Sequence, residues 1–257
     1  MSIDFSVEDG IAQIVLNRPE RLNAMDADAY RRLSELWVAV RDDPAIRVAI
    51  VTGAGGRSFS TGADLKSYVT DPQDLSDFWL TQHEQLLNRG LEVWKPVIAA
   101  VNGYCLGGGM TLMLATDIRI AVPHATFGLT EVKRGILAGN GGTQRILEQL
   151  PYAIGMELLL TGRSIDAATA ARWGLVNEVV EPAALLGRAH EIAADIAGNA
   201  PLAVQATKEL AVRSRDLDRV SGLRLEQAMN RHLQQTDDAR EGPAAFAERR
   251  PAAFVGR

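Results

Sequence analysis

No charged residue occurs between Lys95 and Asp117, and the triplet Gly107-Gly108-Gly109 lies inside that stretch. A run this apolar has to be buried, and the glycines divide it. Before them, Pro96-Val97-Ile98-Ala99-Ala100-Val101 reads as a buried strand; after them, Met110 to Ala115 reads as a helix. A membrane span is the competing reading, because hydropathy alone flags such a run. Pro96, Asn102 and four glycines interrupt it, so a buried strand, loop and helix explain it better. Glycine lets backbone N–H groups approach a ligand closely. The first turn of a helix leaves N–H groups unpaired at the positive end of its dipole. An oxygen that gains negative charge is stabilised in such a place.

A second glycine-flanked segment, Phe59-Ser60-Thr61-Gly62-Ala63-Asp64, offers a further backbone donor. A carboxylate follows downstream in Phe127-Gly128-Leu129-Thr130-Glu131. Two backbone donors and one carboxylate are the parts of an oxyanion hole with a general acid/base.

The remaining pattern predicts an α/β protein, with strands alternating with helices. Ile11 to Leu16, Val48 to Val51, Val97 to Val101 and Ile118 to Ala121 read as buried strands, and Val176 to Val180 as a short late one. Asp26 to Arg41 reads as an amphipathic helix with Asp26 as N-cap and Tyr30, Leu33, Trp37 and Val40 at helical spacing. Asp74 to Leu91 is also expected to be helical. After Gly141 helices dominate: Gly142 to Leu150, Ala153 to Leu160, Ala167 to Trp173, Leu185 to Ala197, Leu202 to Arg213 behind Pro201, and Leu223 to Ala247.

Composition narrows the function. With 257 residues, 47% of them hydrophobic, the chain can bury a sizeable core. A net charge of −5 without a basic tract argues against nucleic acid as a partner. The single Cys105 permits no intrachain disulfide, and the N-terminus lacks the apolar region of a signal peptide, so a cytoplasmic location is expected. His83, His124, His190 and His232 have no metal-type spacing, so no metal is expected. Gly53-Ala54-Gly55-Gly56-Arg57-Ser58 follows a strand, but Ser58 stands where a dinucleotide fingerprint needs its third glycine; a tight turn is the better reading. The hydrolase elbow Gly-x-Ser-x-Gly is absent. Asp117 reads as a capping or structural residue.

In order along the chain stand Asn17-Arg18-Pro19, Leu22-Asn23-Ala24, Phe59 to Lys66, Pro96 to Gly109, Thr116-Asp117-Ile118-Arg119-Ile120-Ala121, Phe127 to Glu131 and Gly141-Gly142-Thr143-Gln144-Arg145. Leu160-Thr161-Gly162-Arg163, Trp173 to Asn177 and Phe246 to Arg250 follow. This ordered set resembles the crotonase (enoyl-CoA hydratase/isomerase) superfamily over the whole chain. The resemblance implies a spiral of repeated β-β-α units, residues 1–200, and a helical C-terminal trimerisation region, residues 201–257. It also implies a homotrimer or dimer of trimers, an acyl-CoA thioester as substrate, and no separate cofactor, coenzyme A being part of the substrate. The thioester oxygen would sit between the N–H groups of Ala63 and Gly108. The CoA moiety would run past Arg21, Leu22, Ala24, Ser60, Asp64, Leu65 and Lys66, with Arg249 of a neighbouring subunit meeting its phosphates; Tyr68, a further substrate-binding candidate, stands where the family's aromatic enoyl-CoA hydratase/lyases resemble this chain.

One position departs from the family's two-glutamate hydratases. The first glutamate is expected two residues after the glycine triplet, where this chain has Thr111; the second is Glu131. A single carboxylate either does both jobs of hydration or does a different job. The resemblance therefore implies an enoyl-CoA hydratase or isomerase with Glu131 as sole ionisable catalyst and Thr111 at most orienting water. A double-bond isomerase, an aromatic enoyl-CoA hydratase/lyase and a non-catalytic acyl-CoA binder remain as alternatives.

Overall fold

The computed structural model describes residues 2–64 and 86–257. Ten strands form two sheets among these residues. Strands β1 (Ile3–Glu8), β2 (Ile11–Leu16), β3 (Val48–Gly53), β5 (Val97–Val101), β7 (Ile118–Ala121) and β10 (Glu178–Val179) make a six-stranded sheet in that order. β4 (Ser58–Ser60), β6 (Tyr104–Leu106), β8 (Thr126–Gly128) and β9 (Ile165–Asp166) make a four-stranded one. β1 and β2 pair antiparallel, as do β8 and β9; the other pairs are parallel.

The chain crosses from the larger sheet to the smaller at β3 to β4, again at β5 to β6, and again at β7 to β8. Each turn therefore adds one strand to each sheet, which is a spiral of two-strand units. β3 and β5 are buried at every position, as parallel strands covered on both faces must be. β2 instead alternates, with Ala12, Ile14 and Leu16 inside.

Helix α1 (Ala27–Asp42) begins where the Asp26 side chain accepts from the Ala29 N–H at 2.9 Å, and it buries Ala29, Leu33, Leu36, Trp37 and Val40. Helix α2 (Gly108–Leu114) follows β6 directly and is buried from Gly109 onward. The helices α3 (Gly142–Gln149), α4 (Tyr152–Thr161) and α5 (Ala167–Arg172) come next, and then α6 (Leu185–Ala197). α6 presents Leu185, Ala189, Ala193 and Ala197, four residues apart, to β3 and β5. That stripe of small side chains lets the helix lie close to the sheet.

The C-terminal helices α7 (Pro201–Arg213), α8 (Arg219–Leu233) and α9 (Asp237–Glu248) are tied to the spiral by half-buried cations. Lys208 Nζ pairs with Asp117 Oδ2 at 2.7 Å and donates to the Lys95 carbonyl. The Arg47 guanidinium donates to the carbonyls of Ala197 and Phe254. Asp117 also accepts from the Val97 N–H at 2.7 Å, the structural role expected of it.

Three expectations change. Leu223 to Ala247 is two helices, because Thr236 caps a new one by accepting from the Ala239 N–H. Leu225, Met229 and Leu233 are half-buried on a helix that packs against α7. Of the helix expected over 74–91, residues 74–85 lie outside the described residues. The rest is only a single 3₁₀ turn, Leu87–Arg89, ended by Gly90 at φ 92°. Strands β1, β4, β6, β8 and β9 went unread: β1 is a polar edge, and the others are too short to show a period. Among the described residues no helix is long and apolar enough to cross a membrane.

Candidate active site

The site forms where the loop after β4 meets the first turn of α2. Met25 and Ala63 form a parallel bridge: the Met25 N–H donates to the Gly62 carbonyl and the Asp64 N–H to the Met25 carbonyl, each at 2.8 Å. Successive amides of an extended strand point to opposite sides, so the Ala63 N–H is turned away from Met25. Gly62, at φ 90°, carries the turn, and a methyl group placed on it would lie 2.5 Å from the Gly108 nitrogen. One placed on Gly108 would lie 3.4 Å from the Ala63 nitrogen. The two N–H groups singled out in the sequence thus stand side by side. Among the described residues neither has a hydrogen-bond acceptor.

The loop is braced from below. Ser60 is fully buried, its hydroxyl donating to the Asn23 carbonyl at 2.8 Å and accepting from the Gly62 N–H at 3.1 Å. Buried Asn23 donates to the carbonyls of Ala54 and Ser58 and accepts from the Arg18 N–H. The Arg18 guanidinium bridges Asp26 at 2.9 Å and Asp64 at 3.3 Å and donates to the Ala24 carbonyl. Helix α2 is pinned at its far end by Arg119, which is buried and donates to the carbonyls of Met113, Leu114, Thr116 and Leu175. Burial lowers that guanidinium's pKa to about 10, so it stays charged at neutral pH.

Glu131 opens the 3₁₀ turn Glu131–Arg134 after β8. A methyl group on Gly107 would lie 3.6 Å from its Oε1, which puts the carboxyl beside the entry to α2. Its Oε2 is buried, with no hydrogen-bond partner among the described residues. Burial raises the carboxyl above the ordinary glutamate value of 4.5, with an internal backbone hydrogen bond and the charge of Arg134 opposing. A desolvated carboxyl next to two unpaired N–H groups is equipped to move a proton at a carbon whose neighbouring carbonyl rests on those groups.

The enoyl-CoA hydratase/isomerase family model matches residues 6–257. The chain belongs to that family. It is 44% identical over 256 residues to the (E)-benzylidenesuccinyl-CoA hydratase of Thauera aromatica, covering 100% of both chains. It is 43% identical over 250 residues to the carnitinyl-CoA dehydratase of Salmonella arizonae, covering 96% of this chain and 95% of the other. The crystal structure of an enoyl-CoA hydratase from Bacillus anthracis superposes with a TM-score of 0.91 at 34% identity, covering 100% of each chain. The spiral is thus the crotonase fold.

In this enoyl-CoA hydratase/isomerase family member the other expected residues are placed as follows. Arg21 is exposed on the loop before α1, and Leu22 and Ala24 are half-buried there. Leu65, Lys66 and Tyr68 lie outside the described residues. Arg249 is exposed at the end of α9 with φ 55°. Thr111 is 1% exposed, and its hydroxyl donates to the Gly108 carbonyl at 3.0 Å while accepting from Asn88 Nδ2 at 3.1 Å. A hydroxyl has one hydrogen, so Thr111 has none left to give to water. Cys105 is buried against Met113, and burial raises its thiol pKa well above the ordinary range, which leaves it inert. Among the described residues no group of side chains is built to hold a metal.

The sequence reading missed Asn88, Arg18 as a clamp and Arg119 as a helix-end cap. The last two stand inside the quoted motifs, where the side chains' partners are invisible. Asn88 stands in a segment that reads as a helix of mixed polarity, where nothing sets this amide apart from a solvated one.

Proposed function

We propose that this protein catalyses the reversible hydration of an α,β-unsaturated acyl-CoA thioester, with Glu131 as its only ionisable catalyst. The pairing of the Ala63 and Gly108 N–H groups beside the half-buried Glu131 carboxyl, with its Oε2 inside, carries the reading. Both N–H groups donate to the thioester oxygen, and their attraction grows as that oxygen becomes an enolate; one such donor is worth roughly 3–4 kcal/mol in a transition state. Water adds its oxygen to the β-carbon while Glu131 takes one proton from that water. The π electrons pass to the enolate, and Glu131 returns a proton to the α-carbon. Burial raises the Glu131 pKa, which favours the form that carries the proton between the two steps.

Hydration is favoured over double-bond migration because the relatives at 43–44% identity bear the names of a hydratase and a dehydratase. In this reading the CoA moiety follows Arg21, Leu22, Ala24, Asp64, Leu65 and Lys66, and Tyr68 belongs to the substrate-binding set. Ser60 shapes the loop that they rim. Arg249 reaches the CoA phosphates of a neighbouring subunit in a trimer or a dimer of trimers. The test is a thioester panel of (E)-benzylidenesuccinyl-CoA, carnitinyl-CoA and a straight-chain enoyl-CoA, followed by absorbance at the conjugated bond and by product mass. Turnover of at least one, lost in Glu131→Gln, is expected. Tight binding of several with turnover of none refutes hydration in favour of silent binding. A product of unchanged mass with a shifted double bond makes the protein an isomerase.

A further inference from the structure

Asn88 is a polar side chain that the chemistry above does not use. It is 5% exposed, and its position is fixed from three sides. Its Nδ2 donates to Thr111 Oγ1 at 3.1 Å, its backbone carbonyl accepts from Arg145 Nη1 at 3.2 Å, and the next residue, Arg89, donates through Nε to Asn140 Oδ1 at 2.8 Å. The orientation of the amide follows from Thr111. That hydroxyl commits its one hydrogen to the Gly108 carbonyl, so it offers Asn88 a lone pair, and Asn88 must answer with its NH₂. Asn88 Oδ1 is therefore directed elsewhere, and it is buried with no hydrogen-bond partner among the described residues. Buried polar atoms are rarely left unpaired, so this oxygen is placed to accept from a donor that arrives from outside the chain.

Resting on the hydration reading, we propose that Asn88 Oδ1 receives the hydrogen of the hydroxyl group that is added to, or removed from, the acyl β-carbon. Thr111 lies three residues beyond Gly108 on α2, and side chains at that spacing are about 5–6 Å apart. The β-carbon stands two bonds beyond the carbonyl carbon held at Gly108, so a group attached to it extends towards the neighbourhood of Thr111 and Asn88. The attacking water has two hydrogens. Glu131 takes one, the oxygen–carbon bond forms, and the other hydrogen stays on the product hydroxyl, where Asn88 Oδ1 accepts it. In dehydration the same contact holds the departing hydroxyl until Glu131 protonates it. Asn88 and Thr111 together supply an uncharged substitute for a second carboxylate: Thr111 orients the amide, and the amide orients the water.

The test separates hydration from proton abstraction. Exchange of the α-proton of a saturated acyl-CoA in D₂O needs the two N–H groups and Glu131 but no water at the β-carbon. The ratio of hydration rate to exchange rate is read in the parent, in Asn88→Leu and in Asn88→Asp. Asn88→Leu is expected to lower the ratio about tenfold or more, the scale of one lost hydrogen bond. Asn88→Asp keeps an oxygen acceptor; having no NH₂, its carboxylate is held by rotation of the Thr111 hydroxyl away from the Gly108 carbonyl, and this variant is expected to recover most of the ratio and remains the working one if the leucine variant does not fold. A ratio within twofold of the parent in both variants overturns the proposal. So does a parallel fall of both rates, because that outcome assigns Asn88 a purely structural role. A parent that exchanges the α-proton yet hydrates no thioester refutes the hydration reading itself, and the proposal falls with it.

Discussion

The substitution Gly62→Ala tests the geometry of the oxyanion pair with a single methyl group. Two costs follow from the structure. Gly62 has φ 90°, a region that an L side chain occupies only under strain, typically at about 1–3 kcal/mol. The added Cβ would lie 2.5 Å from the Gly108 nitrogen, where real contacts begin beyond 3 Å, so the two strands of the site must part. The displacement required is roughly 1 Å, a scale at which catalysis that depends on positioning falls about 100-fold. For a chain of this size the strain alone lowers Tm by roughly 2–12 °C, at about 2–4 °C per kcal/mol. Gly56→Ala is the control, since a methyl group there meets nothing within 4 Å and φ is not positive. The assay is steady-state turnover of the best thioester substrate, with thermal melting run alongside at a temperature where both variants are folded. A folded Gly62→Ala protein within threefold of the parent turnover would refute the claim that the Ala63 and Gly108 N–H groups hold the reacting carbonyl.

Glu131→Gln should lower turnover by roughly 10²–10⁴-fold while a CoA ester still raises the melting temperature. The same variant carries a sign test: burial raises the Glu131 pKa, so the parent's stability is fullest below the ordinary value of 4.5 and declines as pH rises through the folded-state value. Relative to Glu131→Gln, the parent should therefore lose stability from acid towards neutral pH in paired melting curves; a parent that gains stability over that range contradicts the desolvated placement. Arg119→Met removes the donor for four carbonyls and should cost at least about 3 kcal/mol in denaturant unfolding; a change under about 1 kcal/mol would show that those carbonyls find water instead. Light scattering at micromolar concentration should give a mass near three or six times the 27.8 kDa chain, and a monomer would remove the proposed role of Arg249 across subunits.

The sequence by itself determined the buried strands of the larger sheet and the candidate positions of the chemistry. The uncharged run around Gly107-Gly108-Gly109 reads as a buried strand, a turn and a buried helix, and the structure keeps these and inserts the short β6 between them. Asp26, Pro201 and the stripe on α1 mark helix starts that the structure keeps. Ala63, Gly108 and Glu131 were legible because glycines punctuate the chain where backbone must approach a ligand, and because the ordered motifs resemble a known family. What only the tertiary structure decided is how those groups face one another. Backbone donors leave no side-chain signature, so the approach of Gly62 to the Gly108 nitrogen emerges only when Met25 bridges Ala63 and turns one amide away. Asn88 meets Thr111 across 23 positions and Arg18 meets Asp64 across 46, contacts that no local period encodes. The hydroxyl of Thr111 reads in sequence as a group that orients water. The fold commits its hydrogen to the Gly108 carbonyl and turns its lone pair to Asn88, because a buried helix interior satisfies its polar groups before a substrate arrives.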